Sequence, residues 1–354
     1  MNVLNFTLDL ENQFNKLDIS LTWVKHIVEF IEQWQNESDS ITISTSGTTG
    51  VPKVYTVKKD WMRFSAQNTL SFFNLKPEDK VLLALSAEFI GGKMMLVRAL
   101  EGGLKLWLCP PNDLSILNQD VHFKFCPLVP LQAEKYIHQL HKIDQILLGG
   151  GPVNENLEER LIDLPSQFYQ SFAMAETLSH FAIRNISKKE SEFKVFSNIQ
   201  IGVNENNCLW IKGPQLGQPF LQTNDVVELL SDQRFIWKGR FDFIINSGGI
   251  KYNPEILEEG CRFLLNRNIP FFISSQSDSK LGEQIVLIIE ESSSHILDDL
   301  TIQKQDFNLN TYAIPKKWIL VKRIPRTEAS NKIRRLVKEE LFHSDNILRE
   351  EWIH

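Results

Sequence analysis

The run STSGTTGVPK, Ser44 to Lys53, is the stretch of this chain whose residue types most plainly suit chemistry. It follows the apolar ITI. From Ser44 to Gly50 it places five hydroxyl residues (Ser44, Thr45, Ser46, Thr48, Thr49) and two glycines (Gly47, Gly50) in seven positions, a composition foreign to a core. Glycine lets successive backbone N–H groups converge, hydroxyls add donors, and Lys53 adds a cation, a set that suits an oxyanion such as a triphosphate. The spacing is not GxxxxGK[ST], and a β-rich run, KVYTV, follows where that loop would enter a helix. A polar hairpin loop is the purely structural alternative. The other reactive side chains are dispersed. Cys109, Cys126, Cys208 and Cys261 show no CxxC spacing, and His122 before Cys126 makes only a lone pair, so buried structural thiols are expected rather than a zinc site.

The elements around that loop read as α/β. LTWVKHIVEFIEQWQ puts Trp23, Ile27, Phe30, Ile31 and Trp34 on one helical face before the turn residues NESDS. From Ile41, short β-rich runs (ITIST, KVYTV, KVLLALS, LKLWLCP, FKFCPLV, QILLGG, QFYQSFA) alternate with helical stretches (DWMRFSAQNTLSFF, GGKMMLVRALEGG, LQAEKYIHQLHKI), which predicts strands buried between helix layers. Around Ser187 the texture changes to hairpin-like segments, FKVFSNIQIG, NNCLWIKG and VVELLSDQRFIWKG, a mainly antiparallel portion. After Gly239 come a strand FDFII, a turn NSGGIKYNP, a helix PEILEEGCRFLL, strands FFISS and QIVLIIE, and a final helix NKIRRLVKEELF. The expected architecture is a large N-terminal α/β domain over 1–239, with mixed sheets and helices between, and a small C-terminal α+β lid domain over 240–354.

Composition narrows the function. The 354 residues are 42% hydrophobic and 23% charged, which is globular. Lys plus Arg total 38 against 44 Asp plus Glu, a formal charge of −6, so there is no basic field for nucleic acid. No apolar run of membrane-spanning length and no secretory-type N-terminus stands out, so neither stable membrane insertion nor export is expected, and a cytoplasmic location is.

With the motifs taken together, the chain resembles the adenylate-forming superfamily, which holds acyl-CoA synthetases, luciferases and the adenylation domains of peptide synthetases. STSGTTGVPK resembles its phosphate loop, and five further segments follow in the family's order: LLGGGP at Leu147–Pro152, FAMAET at Phe172–Thr177, LQTNDVVEL at Leu221–Leu229, KGRFDFIINSGGIKYNPEILE at Lys238–Glu258, and IPRTEASNKIRR at Ile324–Arg335. The resemblance implies ATP, Mg²⁺ and CoA as the small molecules handled. It implies that Ser44 to Lys53 hold the β- and γ-phosphates and that Glu176 carries Mg²⁺. Gly149, Gly150 and Gly151 would pack against adenine, although a tight structural turn explains them equally. Asp225 and Arg240 would hold the ribose. Asp242 matches the hinge about which the small domain rotates, a surface ion pair with Arg240 being the alternative. Ser247, Gly248, Gly249 and Lys251 would form the turn facing the CoA pantetheine. Lys332 would bridge the acid's carboxylate and the α-phosphate, with Arg334 and Arg335 as fallback.

The chain departs from the family at several of these positions. Ala175 stands where a phosphate-binding threonine is usual, Ala173 replaces a glycine, TND replaces TGD, Asn331 replaces a glycine, and Pro325 to Lys332 is one residue longer than usual. A lost neutral hydrogen bond costs on the order of 0.5–1.5 kcal/mol, which slows a reaction without abolishing it.

The segment resembling the phosphate loop lies early, so most of the family's first subdomain is expected to be absent, and compact members of this kind resemble o-succinylbenzoate–CoA ligases of menaquinone biosynthesis. EFIGGKMMLVRAL and ETLSHFAIR suit that subfamily. Its substrate has two carboxylates, so a cation is expected in the acyl pocket: Lys93 first, with Arg98 and His180 behind it, each alternatively a solvated helix residue. Gly91 and Gly92 would let helix backbone approach the aromatic ring. The alternatives to this acid are another aryl- or acyl-CoA synthetase, or an enzyme-derived protein that binds nucleotide without turnover. A homodimer is compatible with any of these.

Overall fold

A computed structural model describes residues 3–8, 11–44, 54–111, 113–151, 153–265, 269–291, 301–326, 333–335 and 337–354. The chain divides into two compact units: one of 1–202, 210–221 and 229–236, the other of 203–209, 222–228 and 237–354. The division runs through strands, since 203–209 and 222–228 are counted with the C-terminal unit.

In the first unit, β1 (Val3–Asn5) and a single turn α1 (Glu11–Phe14) precede α2 (Thr22–Gln35). Val24, Ile27, Phe30, Ile31 and Trp34 recur at helical spacing and are buried, whereas Trp23 is only partly covered. The end of α2 is held by a lysine: Lys59 Nζ donates to the Asn36 carbonyl at 2.8 Å and to Asn36 Oδ1 at 2.9 Å, meeting the helix's negative end. Next come β2 (Ser40–Ser44) and β3 (Val54–Lys58), an antiparallel pair with Ser44 opposite Val54, and then α3 (Lys59–Phe72).

The strands β4 (Lys80–Leu83), β5 (Lys105–Leu108), β6 (Phe123–Leu128), β7 (Ile143–Leu148) and β8 (Gln167–Ala173) form a parallel block in the order β5-β4-β6-β7-β8. Alternate side chains serve opposite cores, because a strand's side chains change face at every residue. Val81, Leu83, Phe125 and Leu147 join the core that also holds the faces of α2, α3 and α4 (Ile90–Gly102). Leu82, Cys126, Ile146 and Leu148 join the one beneath α5 (Pro130–Lys135) and α6 (Glu155–Ile162). Helix cover on both faces is why these strands read as continuous apolar runs. The block is extended antiparallel by β1 on β5 and by β9 (His180–Asn185) on β8. The sheet then continues through β10 (Phe193–Val195), with β11 (Gln200–Val203), β12 (Cys208–Lys212), β13 (Leu221–Ser231) and β14 (Arg234–Arg240) following in the order β10-β14-β13-β12-β11. β10 pairs antiparallel with both β9 and β14, in keeping with the antiparallel portion expected there.

The second unit carries its own sheet. Its strands are β15 (Ile245–Ser247), β16 (Ile250–Tyr252), β17 (Phe271–Asp278), β18 (Gly282–Glu290), β19 (Lys317–Val321) and β20 (Ile347–Trp352), ordered β16-β15-β18-β19-β20 with β17 also paired to β18. Ile285, Leu287 and Ile289 face one core, shared with α7 (Pro254–Glu259) and α8 (Arg262–Leu265), while Val286 and Ile288 face the other. Three expectations fail here. PEILEEGCRFLL is not one helix but α7 and α8, broken at Gly260 and Cys261. FDFII is not one strand: Phe241–Phe243 form a 3-10 turn and only Ile245–Ser247 pair. The final helix shrinks to one turn, α9 (Lys338–Leu341), because Ile333 is taken into an antiparallel bridge with Arg326 and Arg335 is drawn to a partner 77 residues away. Long-range partners outweigh the propensity of a short helix, whose isolated stability in water is marginal.

Candidate active site

The hydroxyl-rich segment joins β2 to β3, so the chain enters and leaves it through an antiparallel pair, as its sequence predicts and unlike a strand-to-helix phosphate loop. Thr45, Ser46, Gly47, Thr48, Thr49, Gly50 and Lys53 themselves lie outside the described residues, as does the side chain of Ser44. The Gly149–Gly151 turn sits where expected, after β7 and before α6, whose first turn is capped by Asn154 accepting from the Leu157 N–H at 2.8 Å. Ser171 Oγ donates to the Leu148 carbonyl at 3.0 Å and would lie 2.6 Å from a Cβ at Gly149, so the turn's backbone sits flat against β8.

Glu176 lies on a 3-10 turn, Ala175–Thr177, between β8 and β9, and is exposed. Thr177 fixes that turn: its Oγ1 accepts from the Met174 N–H at 3.2 Å and reaches the carbonyls of Met174 at 3.0 Å and Ser179 at 2.7 Å. A hydroxyl committed to the loop's own backbone does not substitute for the threonine missing at Ala175.

Next to this turn is a cluster that the sequence shows only in part. Arg98, on α4, is 3% exposed. Its Nε donates to Thr69 Oγ1 on α3 at 3.1 Å and its Nη2 donates to Ser179 Oγ at 2.7 Å. His180 completes the ring, Nε2 lying 3.2 Å from Thr69 Oγ1 and Nδ1 3.2 Å from Ser179 Oγ. Among the described residues no carboxylate pairs with Arg98. Burial pushes its guanidinium down to about 9, and an arginine remains charged there at neutral pH. Burial and then the neighbouring Arg98 hold the His180 imidazole well below its usual range. The solvated-helix alternative fails for both residues, since both are buried and His180 lies on a strand, and burial of His180 to 5% exposure beside Arg98 disfavours its cationic form. Lys93 is half-buried, its ammonium pKa lowered by desolvation and only partly restored by Glu88. Gly92 is needed for close packing rather than for a ligand, since a Cβ there would meet the Ser86 carbonyl oxygen at 2.2 Å.

In the second unit, Asp225 and Arg240 converge. Asp225 is 7% exposed and its Oδ1 accepts from the Trp237 indole N–H at 3.0 Å. Arg240 lies 3.9 Å from Asp225 Oδ2 and forms a two-pronged pair with Asp242, at 2.9 and 2.8 Å. Burial opposes ionisation of Asp242, yet the Arg240 hydrogen bonds and charge hold its carboxyl below the usual range. At the β15–β16 hairpin, Gly248 and Gly249 take left-handed φ of 61° and 80°, a turn that favours glycine. Gly248, Gly249 and Lys251 are exposed, but Ser247 is buried, so its side chain is not part of the exposed tip.

Lys332 lies outside the described residues; the Arg326–Ile333 bridge and the Arg334 N–H on the Pro325 carbonyl, 2.9 Å, hold the chain on either side of it. The fallback residue Arg335 is not available as a catalytic cation. Its guanidinium is bound at 2.6 Å to both oxygens of Glu258, stacks over Phe243 and Phe272, and lies 3.8 Å from Glu255. Arg334 pairs with Glu340 at 3.6 Å.

Thr69, Ser179 and Trp237 were not singled out from sequence. Each is an ordinary residue for its element, and only the meeting of α3, α4 and β9, or of β13 and β14, makes it a partner to a charge. The four cysteines are buried as expected, with burial pushing the Cys109 and Cys261 thiols up to about 12. His122 is exposed and pairs with Asp144 at 2.6 Å.

Comparison with known proteins places this geometry. The 2-succinylbenzoate–CoA ligase of Listeria monocytogenes is 25% identical over 87% of this chain and 71% of its own length. Among solved structures, an acyl-CoA synthetase (AMP-forming)/AMP-acid ligase II-like protein from Dyadobacter fermentans is 29% identical, with a TM-score of 0.63 over 96% of this chain and 99% of that one. The o-succinylbenzoate CoA synthetase of Bacillus subtilis, solved with its acyl-adenylate intermediate, shares the fold at a TM-score of 0.75 and 22% identity, covering 87% of this chain and 70% of that one. The model of the family described as AMP-binding enzyme matches residues 9–215, more than half of the sequence, and the chain belongs to that family.

Proposed function

We propose that this chain is an AMP-forming acid–CoA ligase that converts o-succinylbenzoate into its acyl adenylate with ATP and then transfers the acyl group to CoA. A carboxylate carries no adequate leaving group; adenylation supplies AMP, which a thiol then displaces. Charge builds on the α-phosphate in the first step, so the cation proposed there is the Lys332 ammonium. The hydroxyls and backbone of Ser44–Gly50 with Lys53 grip the outer phosphates, Gly149–Gly151 lie along adenine, and Asp225 accepts from the ribose hydroxyls while Arg240 donates. Glu176 is exposed and has no ion-pair partner among the described residues, which fits a hard ion that takes one carboxylate and completes its shell with phosphate oxygens and water. Mg²⁺ bound there would offset phosphate charge. Asp242 is proposed as the hinge and the Ser247–Lys251 turn as the element that meets CoA.

The observation that carries the choice of acid is Arg98. A buried charge without a counter-charge costs several kcal/mol, which a second carboxylate on the substrate would offset. That places Arg98 ahead of Lys93 as the receptor, with Lys93 as a more accessible second cation. The name of the Listeria relative points to the same diacid.

The test is pyrophosphate release with ATP, Mg²⁺, CoA and a panel of acids. Turnover of o-succinylbenzoate, but not of benzoate or fatty acids, is expected. Turnover of only other acids would reassign the substrate, and nucleotide binding without pyrophosphate from any acid would make the chain a non-catalytic relative. Lys332→Ala is expected to slow adenylation; unchanged adenylation and thioester formation would remove that residue from the mechanism.

A further inference from the structure

The ring around Arg98 can be solved for its protons. An arginine only donates, so the oxygens of Thr69 and Ser179 must both accept from it. The single hydroxyl proton of Thr69 is assigned to the Ser65 carbonyl, 3.2 Å away, the back-bond that a helical threonine makes to the residue four before it. The 3.2 Å contact between Thr69 and His180 therefore needs its proton from His180 Nε2. That leaves Nδ1 with the lone pair, and the Ser179 hydroxyl donates to it across 3.2 Å. Every proton is used once and the ring closes: Arg98 to Thr69, His180 to Thr69, Ser179 to His180, Arg98 to Ser179. Two of the five guanidinium N–H groups are consumed, and Nη1 takes none of these partners.

We infer that His180 is a positioning residue which, braced between Thr69 and Ser179, holds the Arg98 guanidinium in the one orientation that presents its remaining N–H groups to the second carboxylate of the acid. This rests on Arg98 being the carboxylate receptor. The brace as drawn needs a neutral imidazole, since an imidazolium has two N–H groups and no acceptor, and would leave the Ser179 hydroxyl proton without its acceptor while adding a second buried cation. A fixed guanidinium fork favours a planar, charged carboxylate over a neutral group of the same size. Ser179 is also tied through its carbonyl to Thr177 at 2.7 Å, so the orientation of Arg98 is linked to the turn that presents Glu176.

The experiment compares kcat/KM for o-succinylbenzoate with kcat/KM for the same acid methylated on the carboxylate that is not adenylated, both at saturating ATP, in Thr69→Val, Ser179→Ala, His180→Leu and His180→Gln. The ratio of the two constants is the readout. Thr69→Val and Ser179→Ala are each expected to lower it about tenfold, the size of one hydrogen bond to a charged group. His180→Leu is expected to lower it at least as far, and His180→Gln, neutral and still able to donate to Thr69, to recover part of the loss. The two hydroxyl substitutions barely change volume, so they decide the matter whether or not His180→Leu folds. A ratio unchanged in both, with the two acids losing rate together, would show a merely structural ring and overturn the inference. A wild-type ratio near one would instead overturn the reading of Arg98 as receptor, and this inference with it.

Discussion

Two arginines are buried in this protein in opposite company. Arg335, in the C-terminal unit, has both oxygens of Glu258 on the two prongs of its fork, Glu255 nearby, and the rings of Phe243 and Phe272 at 5.8 and 5.5 Å. Burial works against its charge, but the glutamates prevail and hold its pKa above the usual value. Among the described residues, Arg98, in the N-terminal unit, has only the hydroxyls of Thr69 and Ser179 for hydrogen-bond partners, and burial is what lowers its pKa. The first is a saturated staple joining α7 to the chain beyond the Arg326–Ile333 bridge. The second is a charge with no carboxylate partner among the described residues, the condition that the proposed receptor role rests on. The same residue type is thus a paired staple in one place and the proposed receptor in the other, and the difference is read from which carboxylates the described residues place beside each.

The contrast is broken most forcefully from the staple side. Glu258→Ala strands Arg335 and also removes the acceptor of the Ile273 N–H, bound at 2.7 Å. Loss of one partner of a buried pair costs about 3–5 kcal/mol, so the lowest-denaturant unfolding transition should move by that amount in a urea titration. A shift under 1 kcal/mol would mean that the pair is as weak as a surface bridge. On the receptor side, Arg98→Met removes an uncompensated charge and should leave that midpoint unchanged or raised. Its cost should fall on turnover, with kcat/KM for o-succinylbenzoate dropping on the order of 100-fold, or about 2.7 kcal/mol. If Arg98→Met instead unfolds the protein as Glu258→Ala does, the two arginines are alike and the distinction is lost.

How much of this the sequence shows follows from the range of the interactions. Apolar runs such as KVLL and KLWL predict buried strands because both of their faces are covered, and the mixture of hydroxyls and glycines at Ser44–Gly50 suits an oxyanion by composition, the proposed phosphate loop. The candidate charges were also legible: Arg98, Asp225, Arg240 and Glu176 could be picked from motifs. Their partners could not, since Thr69 is 29 residues from Arg98 and Ser179 is 81, and nothing local distinguishes either hydroxyl. The state of His180 was illegible for the same reason, because it depends on burial beside Arg98 rather than on the residue type. The C-terminal helix was overread because Ile333 and Arg335 have helical spacing but distant partners, and β20 escaped notice behind it.

Smaller effects sharpen the comparison at the nucleotide side. Trp237 stands to Asp225 as Ser179 does to Arg98, a neutral donor or acceptor that orients a charge, here through one N–H at 3.0 Å. Trp237→Phe keeps the ring and deletes that bond. ATP affinity measured by titration calorimetry should weaken by about 1.5 kcal/mol, roughly tenfold, as for one hydrogen bond to an ion. Unchanged affinity would show that Asp225 is held by its other contacts or does not meet the ribose.

The smallest effect is one of pH, and its window differs between the two regions. His180 has a folded pKa well below its unfolded value near 6.5, so the unfolded state binds the extra proton first as pH falls. The stability it contributes is complete above about pH 6.5 and is lost on acidification below that point, at up to about 1.4 kcal/mol per pH unit for a single group. Asp242 is also lowered, but from the carboxylate range, so its contribution persists until the pH drops below about 3.9. Thermal melts between pH 7 and 5 should therefore show an acid loss that His180→Gln flattens and Asp242→Asn does not. If His180→Gln leaves the slope as steep as in the wild type, the imidazole takes up its proton as readily in the folded chain as in the unfolded one, and it cannot then be the buried, neutral member of the ring that braces Arg98.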